Sequence, residues 1–310
     1  MTPLTEKTAL DIIHSVFHKK VNIKAVGNHE LNRHLVYHVT DENNLSVIFK
    51  IYFIKNRANR EVASLKLLSK SSVKCPELID YRIINNEIDW IMIEYLEGQL
   101  FEQAKKNISD DSVHSIFEGM GEELGKIHSF KTFDFFGNWD ENCKSFDNIK
   151  SYKERFIALA ESCIEDMLPK TPEQQSLFDK AINKLRSNYD LMDDITEARL
   201  CHNDYNGRNI LVKAQGNSWS LSGIIDFEQC LPGNKDVDIA LLHHDYFLYN
   251  KDYEKAFLKG YNKYCSIDES FYKRLDYYFL FMGIYICSWA YKSAPSYYEE
   301  GLRLLSLYGL

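Results

Sequence analysis

A chain of 310 residues with 45% hydrophobic content can bury a large core, in one bilobal unit or two small domains. Its net charge of -8 disfavours nucleic acid as a partner; seven cysteines, an odd number with no C-x-x-C pair, argue against a disulfide framework or zinc ribbon and for reduced thiols in the cytoplasm. The opening Met1-Thr2-Pro3-Leu4-Thr5-Glu6 lacks the charged-then-apolar form of a signal peptide, and the most apolar run, Tyr277 to Ala290, is too short and too rich in Tyr for a membrane span.

Leu10, Ile13, Val16 and Phe17 recur at helical spacing, which predicts an amphipathic helix over 5–19. Strand-like runs follow at Val21 to Val26, Leu35 to Thr40 and Ser46 to Ile54, with Asp41-Glu42-Asn43-Asn44 as the turn between the last two. Lys50 is the one charge in the apolar run Val47 to Tyr52, where a lysine ordinarily points to solvent. A helix over Asn59 to Leu68 carries Glu61 in its first turns. Pro76 starts a strand pair, Leu78 to Ile84 and Ile88 to Tyr95, joined by Asn85-Asn86-Glu87 and ending in Glu94-Tyr95-Leu96-Glu97-Gly98.

Beyond this point the pattern is helical almost throughout. Ser109-Asp110-Asp111 offers caps for a helix with Val113, Ile116, Phe117, Met120, Leu124 and Ile127 on one face, ending at His128-Ser129-Phe130. Phe136-Gly137-Asn138-Trp139 reads as a loop, followed by helices around 147–167 and 173–190 separated by Pro169 and Pro172. The chain closes with helices over 251–264, 269–294 and 296–308, rich in Tyr and Phe. There are no repeats, low-complexity tracts or long linkers.

Residues 200–242 carry the chemistry. The run Cys201 to Val212 has the form H-x-D-x-x-x-x-N followed by an apolar triplet, and Gly223-Ile224-Ile225-Asp226-Phe227-Glu228 follows closely. Kinase-type phosphoryl transfer needs a carboxylate to orient the attacking hydroxyl and accept its proton, then an amide and a second carboxylate to hold magnesium. Asp204 fits the first role, and Asn209 and Asp226 the metal-binding pair. Ile210 to Val212 and Leu221 to Ile225 read as short buried strands around Gln215-Gly216-Asn217, a hairpin that would project Asn209 and Asp226 from neighbouring ends. His243-His244-Asp245 invites a metal-site reading, but adjacent helical residues point to different faces. One His in the core and an acid at a cleft rim is the expectation.

The runs HNDYNGRNILV and IIDFEQCLPGNKDVDIALL resemble the aminoglycoside phosphotransferase and choline kinase superfamily, the small-molecule branch of the kinase fold. The resemblance implies an α+β, protein-kinase-like bilobal fold: an N-terminal lobe over 1–95 with an antiparallel sheet and a helix, and a larger helical C-terminal lobe over 96–310. It implies a cleft between the lobes that takes ATP or GTP with Mg²⁺, and transfer of the γ-phosphoryl group to a small-molecule hydroxyl. Lys50 and Glu61 become the ion pair that positions the phosphates. The Glu94 carbonyl and Leu96 amide become the hinge contacts to the base. His202 supports the catalytic loop, Asp238 of the G-x-x-x-x-D-I-A run braces it, and His128 is a structural hydrogen-bonder. Gly27-Asn28-His29-Glu30 sits where a phosphate-covering loop belongs, although it is not G-x-G-x-x-G.

Only eleven residues separate Asp226 from Asp238, too few for the activation segment that presents a peptide to a protein kinase. A catalytically silent nucleotide-binding module would not need all four polar positions filled. An aminoglycoside-type antibiotic is the preferred acceptor, bound through carboxylates such as Asp245, Asp268, Glu269, Glu299 or Glu300. Choline, ethanolamine or a related amino-alcohol, held by an aromatic cage, is the alternative. The expected working unit is a monomer, with no nucleic-acid or membrane partner.

Overall fold

The computed structural model describes residues 6–27, 34–84, 88–168 and 172–310. The expected phosphate-covering residues Asn28, His29 and Glu30, the turn Asn85-Asn86-Glu87 and Pro169 lie outside the described residues. Helix α1 (Glu6–Phe17) leads into strands β1 (Val21–Val26), β2 (His34–Asp41) and β3 (Ser46–Tyr52), then helix α2 (Arg57–Leu68) and strands β4 (Leu78–Arg82) and β5 (Asp89–Glu94). The five strands form one antiparallel sheet in the order β1-β2-β3-β5-β4.

The alternation of side chains along a strand decides what each face of this sheet does. Tyr37, Val47, Phe49, Ile51 and Trp90 point one way and pack on Ala9 and Ile13 of α1. Lys50 is one residue out of phase with Phe49 and Ile51, so it leaves the opposite face, with Val36 and Ile91 as its cross-strand neighbours. It is buried there and does not point to solvent.

Strand β6 (Gln99–Leu100), helix α3 (Phe101–Ala104) and the long helix α4 (Asp110–Phe130) follow β5. The Ser109 hydroxyl caps α4 by accepting from the Ser112 amide, as the Ser-Asp-Asp run predicts. Next come β7 (Thr132–Phe133), α5 (Tyr152–Met167), α6 (Gln175–Arg186), β8 (Ala198–Cys201), the hairpin β9 (Ile210–Gln215) and β10 (Ser218–Ile224), and β11 (Leu231–Gly233). Helices α7 (Asp236–Leu242), α8 (Lys251–Tyr261), α9 (Glu269–Ala290) and α10 (Pro295–Tyr308) complete the chain. Among the described residues no helix is long and apolar enough to cross a membrane.

Most expected elements are present, and the corrections fall at element ends and in the shortest strands: β4 stops at Arg82, before Ile84, and α6 spans only Gln175–Arg186. Strand β3 stops at Tyr52, before Ile54. Helix α5 begins at Tyr152, after the N-cap Ser151, because Ile149 is held extended in a bridge to Phe136. Strands β6, β7, β8 and β11 are two to four residues long and pair with partners distant in sequence, so no local period betrays them.

Helices α4 and α8 cross at Gly121 and Gly260, backbone against backbone. A Cβ on Gly260 would lie 1.9 Å from the Glu118 carbonyl oxygen, and one on Gly121 2.0 Å from that of Phe257. This crossing seats Tyr261 of α8 against His128 of α4. Gly260→Ala should therefore cost at least about 1–3 kcal/mol through overpacking, read as a lower urea midpoint at unchanged slope. An unshifted midpoint would mean the two helices do not meet here.

Candidate active site

Two loops supply the polar centre: residues 202–209 between β8 and β9, and 225–230 between β10 and β11. Asp238, fully buried at the start of α7, binds the first loop by its backbone. Its Oδ2 accepts the His202 amide at 2.8 Å and its Oδ1 the Asn203 amide at 2.6 Å. His128 Nε2 approaches the same Oδ2 at 3.0 Å, while His128 Nδ1 lies 2.8 Å from the Tyr261 hydroxyl. Among the described residues His128, Cys201 and Asp238 form the one group of three His, Cys, Asp or Glu side chains whose ligand atoms lie close enough to share a metal. Both nitrogens of this His and both oxygens of this Asp are already spent within the protein, so the cluster acts as a brace.

His202 is also fully buried, and its Nε2–H donates to the Ile225 carbonyl at 3.1 Å. Burial lowers its pKa, which keeps the ring neutral. It joins the two loops from within the core. A second link, from the Ile225 amide to the Asn209 carbonyl at 2.9 Å, sets Asn209 beside Asp226. Asn203 and Asp226 both adopt left-handed backbone, with φ of 59° and 69°, a conformation that Asn and Asp tolerate better than other side chains.

The Asp204 carboxylate accepts from Asn206 Nδ2 at 2.7 Å through Oδ1 and from Asn209 Nδ2 at 3.0 Å through Oδ2. Desolvation, aided by the charge on Asp226, pushes its pKa up to about 6. Two fifths of the side chain still meets solvent, which keeps that rise moderate. Gly207 lets the loop pass under Tyr246, whose hydroxyl accepts the Gly207 amide at 3.0 Å and donates to Glu102 at 2.8 Å. A Cβ at Gly207 would come within 2.3 Å of that hydroxyl.

The sheet meets these loops through Lys50. Its ammonium lies 2.9 Å from both oxygens of Glu61 on α2 and 2.7 Å from Asp226 Oδ1. Burial would strip the proton from Lys50, but the charges of Asp226 and Glu61 reverse this and raise its pKa. Burial likewise would raise the Asp226 carboxyl, and the Lys50 ammonium overrides it and holds it at about 2. The Tyr52 hydroxyl donates to Glu61. Sequence patterns missed a second clamp: Arg57 at the start of α2 pairs with Glu228, His34 Nδ1 lies 2.9 Å from the same carboxylate, and Arg60 donates to Gln229 at 2.9 Å. The only sequence signal for it is a carboxylate two residues after Asp226.

Glu94 ends β5, and the Leu96 amide beyond it has no acceptor among the described residues. Leu96 closes over Gly223, where a Cβ would come within 2.6 Å of its side chain. Tyr95 stacks on His38 with ring centroids 4.2 Å apart.

A cavity of about 340 Å³ opens at the same loop, lined by Glu102, Asn206, Arg208, His244, Asp245, Tyr246, Tyr249 and Glu300. It owes its shape to a π-helical turn over His243–Phe247 that widens the end of α7. The turn buries His243 among Phe247, Phe271 and Tyr272, where desolvation drops its pKa to about 4, and brings Asp245 to the cavity. This matches the expectation of one core His and one acid at a rim. Of the other acids expected near an acceptor, Glu300 lines the cavity and Asp268 caps α9; Glu102 was not foreseen.

Asp238→Asn should expose how much the brace carries. The amide can replace only one of the two carboxylate acceptors, leaving a buried N–H unpaired at a cost of about 1–3 kcal/mol. Hydrogen exchange at the His202 and Asn203 amides should accelerate and the urea midpoint should fall. Unchanged protection at both amides would locate the loop's support elsewhere.

The model of the phosphotransferase enzyme family matches residues 23–272. Similar solved structures include the aminoglycoside phosphotransferase APH(4)-Ia, with a TM-score of 0.72 and 11% identity over 97% of this chain and 99% of that one. The GDP and kanamycin complex of APH(2")-IIia has a TM-score of 0.68 and 16% identity over 96% and 97%. The gentamicin–APH(2")-IIa complex has a TM-score of 0.65 and 16% identity over 99% and 97%. No curated protein matches the chain in sequence. With a protein-kinase-like fold and a family match over most of its length, this chain belongs to the phosphotransferase enzyme family.

Proposed function

We propose that this enzyme transfers the γ-phosphoryl group of ATP or GTP to a hydroxyl of a small molecule carrying several positive charges, an aminoglycoside-type antibiotic. The observation that carries this reading is the cavity beside Asp204, where Glu102, Asp245 and Glu300 converge. Two lobes, 1–95 and 96–310, would enclose the nucleotide, with the protein acting as a monomer. The free Leu96 amide and the Glu94 carbonyl hold the base, and Lys50, set by Glu61, holds the phosphates. Structural neighbours have been solved with AMP-PNP and hygromycin B or with GDP and kanamycin, which keeps both nucleotides open as donors.

Asn209 and Asp226 suit a hard divalent cation. The Asn209 amide nitrogen is committed to Asp204, which leaves its oxygen as the ligating atom beside the Asp226 carboxylate. Bound there, Mg²⁺ would neutralise charge on the transferring phosphates. Asp204 orients the acceptor hydroxyl and takes its proton as the new O–P bond forms and the bond to the β-phosphate oxygen breaks. Positioning and charge neutralisation supply most of the rate.

The amino-alcohol alternative needs an aromatic cage. The Tyr246 face already carries a cation, Lys105 Nζ at 4.8 Å from its centroid, which leaves Tyr249 as the exposed ring lining the cavity. Carboxylates, not rings, are what the cavity offers.

Nucleotide consumption against a panel of aminoglycosides, macrolides, choline and amino-alcohols tests the reading. The best acceptor should be polycationic, with a KM that climbs several-fold between roughly 0.05 and 0.5 M salt as exposed charge pairs are screened. A flat profile, or choline as the best acceptor, would overturn the aminoglycoside assignment. Asp204→Ala should lower kcat by roughly 10²- to 10⁴-fold with nucleotide affinity nearly unchanged. A variant retaining more than about a tenth of kcat would remove Asp204 from the proton transfer.

A further inference from the structure

His244 occupies an unusual place in the cavity. Its Nδ1 lies 2.7 Å from Asp245 Oδ1 and its Nε2 2.7 Å from Glu300 Oε1. Carboxylates only accept, so both contacts are hydrogen bonds only when both ring nitrogens carry protons; a neutral ring can donate to one of them and must release the other. We propose that His244 is a built-in counter-cation filling the position an acceptor ammonium would take, so that binding a cationic acceptor expels its proton to solvent and the residue sets acceptor affinity. The inference rests on the acceptor reading given above.

The charges around the ring support this. Its own turn contributes Asp245 and Tyr246, and the chain just beyond it Tyr249. Helix α10 contributes Glu300, itself paired with Arg303 at 2.6 Å. The 202–209 loop contributes Arg208, α3 contributes Glu102, and α9 only the uncharged ring of Phe279. Arg208 also faces Asp204 at 3.9 Å, and Lys105 sits over the Tyr246 ring, so four carboxylates against three cations leave one negative charge, which an imidazolium cancels. Burial opposes charge on His244, but Asp245 and Glu300 outweigh it and raise its pKa above the ordinary imidazole value. Below that pKa the cavity is neutral; above it, the cavity is anionic and holds a cation more tightly. By linkage a bound cation must in turn depress the His244 pKa.

The test measures kanamycin binding by calorimetry from pH 6.0 to 8.5, for the wild type and for His244→Asn, with His244→Gln in reserve if the first folds poorly. Kanamycin's own amines titrate identically in all samples, so the ratio of the two Kd values isolates His244. At pH 6 the wild type should bind about tenfold more weakly than the variant, with the ratio falling toward one at high pH. Near neutrality, buffers of different ionisation enthalpy should show the wild type releasing up to one proton per kanamycin more than the variant. Asp245→Asn and Glu300→Gln should weaken binding in both backgrounds. If those two variants weaken binding but the ratio stays flat and proton release is equal, the counter-cation role is wrong while the acceptor cavity stands. If kanamycin binding is absent, or indifferent to both carboxylates, the cavity reading falls and this inference with it.

Discussion

Lys50 is an ammonium buried between two carboxylates that come from other parts of the chain: Glu61 on α2 and Asp226 after β10. None of the three charges could be buried alone, because the desolvation cost of an unpaired ion is several kcal/mol. Together they oblige the sheet, α2 and the loop after β10 to meet at one point. Removing one partner would typically cost about 3–5 kcal/mol, so the cluster defines a geometry more than it adds net stability. The Arg57–Glu228 pair repeats the constraint a turn away, which holds α2 against the same loop.

Beneath this cluster the polar groups, His202 Nδ1 excepted, are paired, and that makes the site rigid. Asp238 accepts two backbone amides, His128 and Tyr261 hold Asp238, and His202 binds the neighbouring loop through a carbonyl. A satisfied buried network specifies one arrangement, since each broken bond leaves an orphaned group in low dielectric. Asp204 sits at the edge of this network, partly solvated, with its pKa raised by desolvation and by the charge on Asp226.

The cavity follows a different logic. Its carboxylates are partly exposed and partly balanced by Arg208, Arg303 and His244, so its field is adjustable where the Lys50 cluster is fixed. The π-helical turn allows this. A regular helix after Leu242 would turn His244 and Asp245 away from the positions they share with Glu300, whereas the wider turn adds a residue and re-aims them.

Local pattern determined a good part of this protein. The alternation in β2, β3 and β5, the capped amphipathic face of α4 and the Gly216 turn of the β9–β10 hairpin are all readable because strand and helix periods act over a few neighbouring residues. The motif around Asp204, Asn209 and Asp226 was legible for the same reason: the spacing of the polar residues between apolar runs limits where a hairpin can put them. Lys50 was legible only through resemblance, since by its own neighbours it reads as a solvent-facing lysine. Tertiary structure alone decided that Glu228 clamps Arg57, that Tyr246 and Glu102 pin Gly207, and that Glu300 closes on His244 from 56 positions away. Those contacts join elements whose approach is set by packing across the whole core. A charge in an exposed turn and a charge in a cavity have the same local sequence, and only the packed chain separates them.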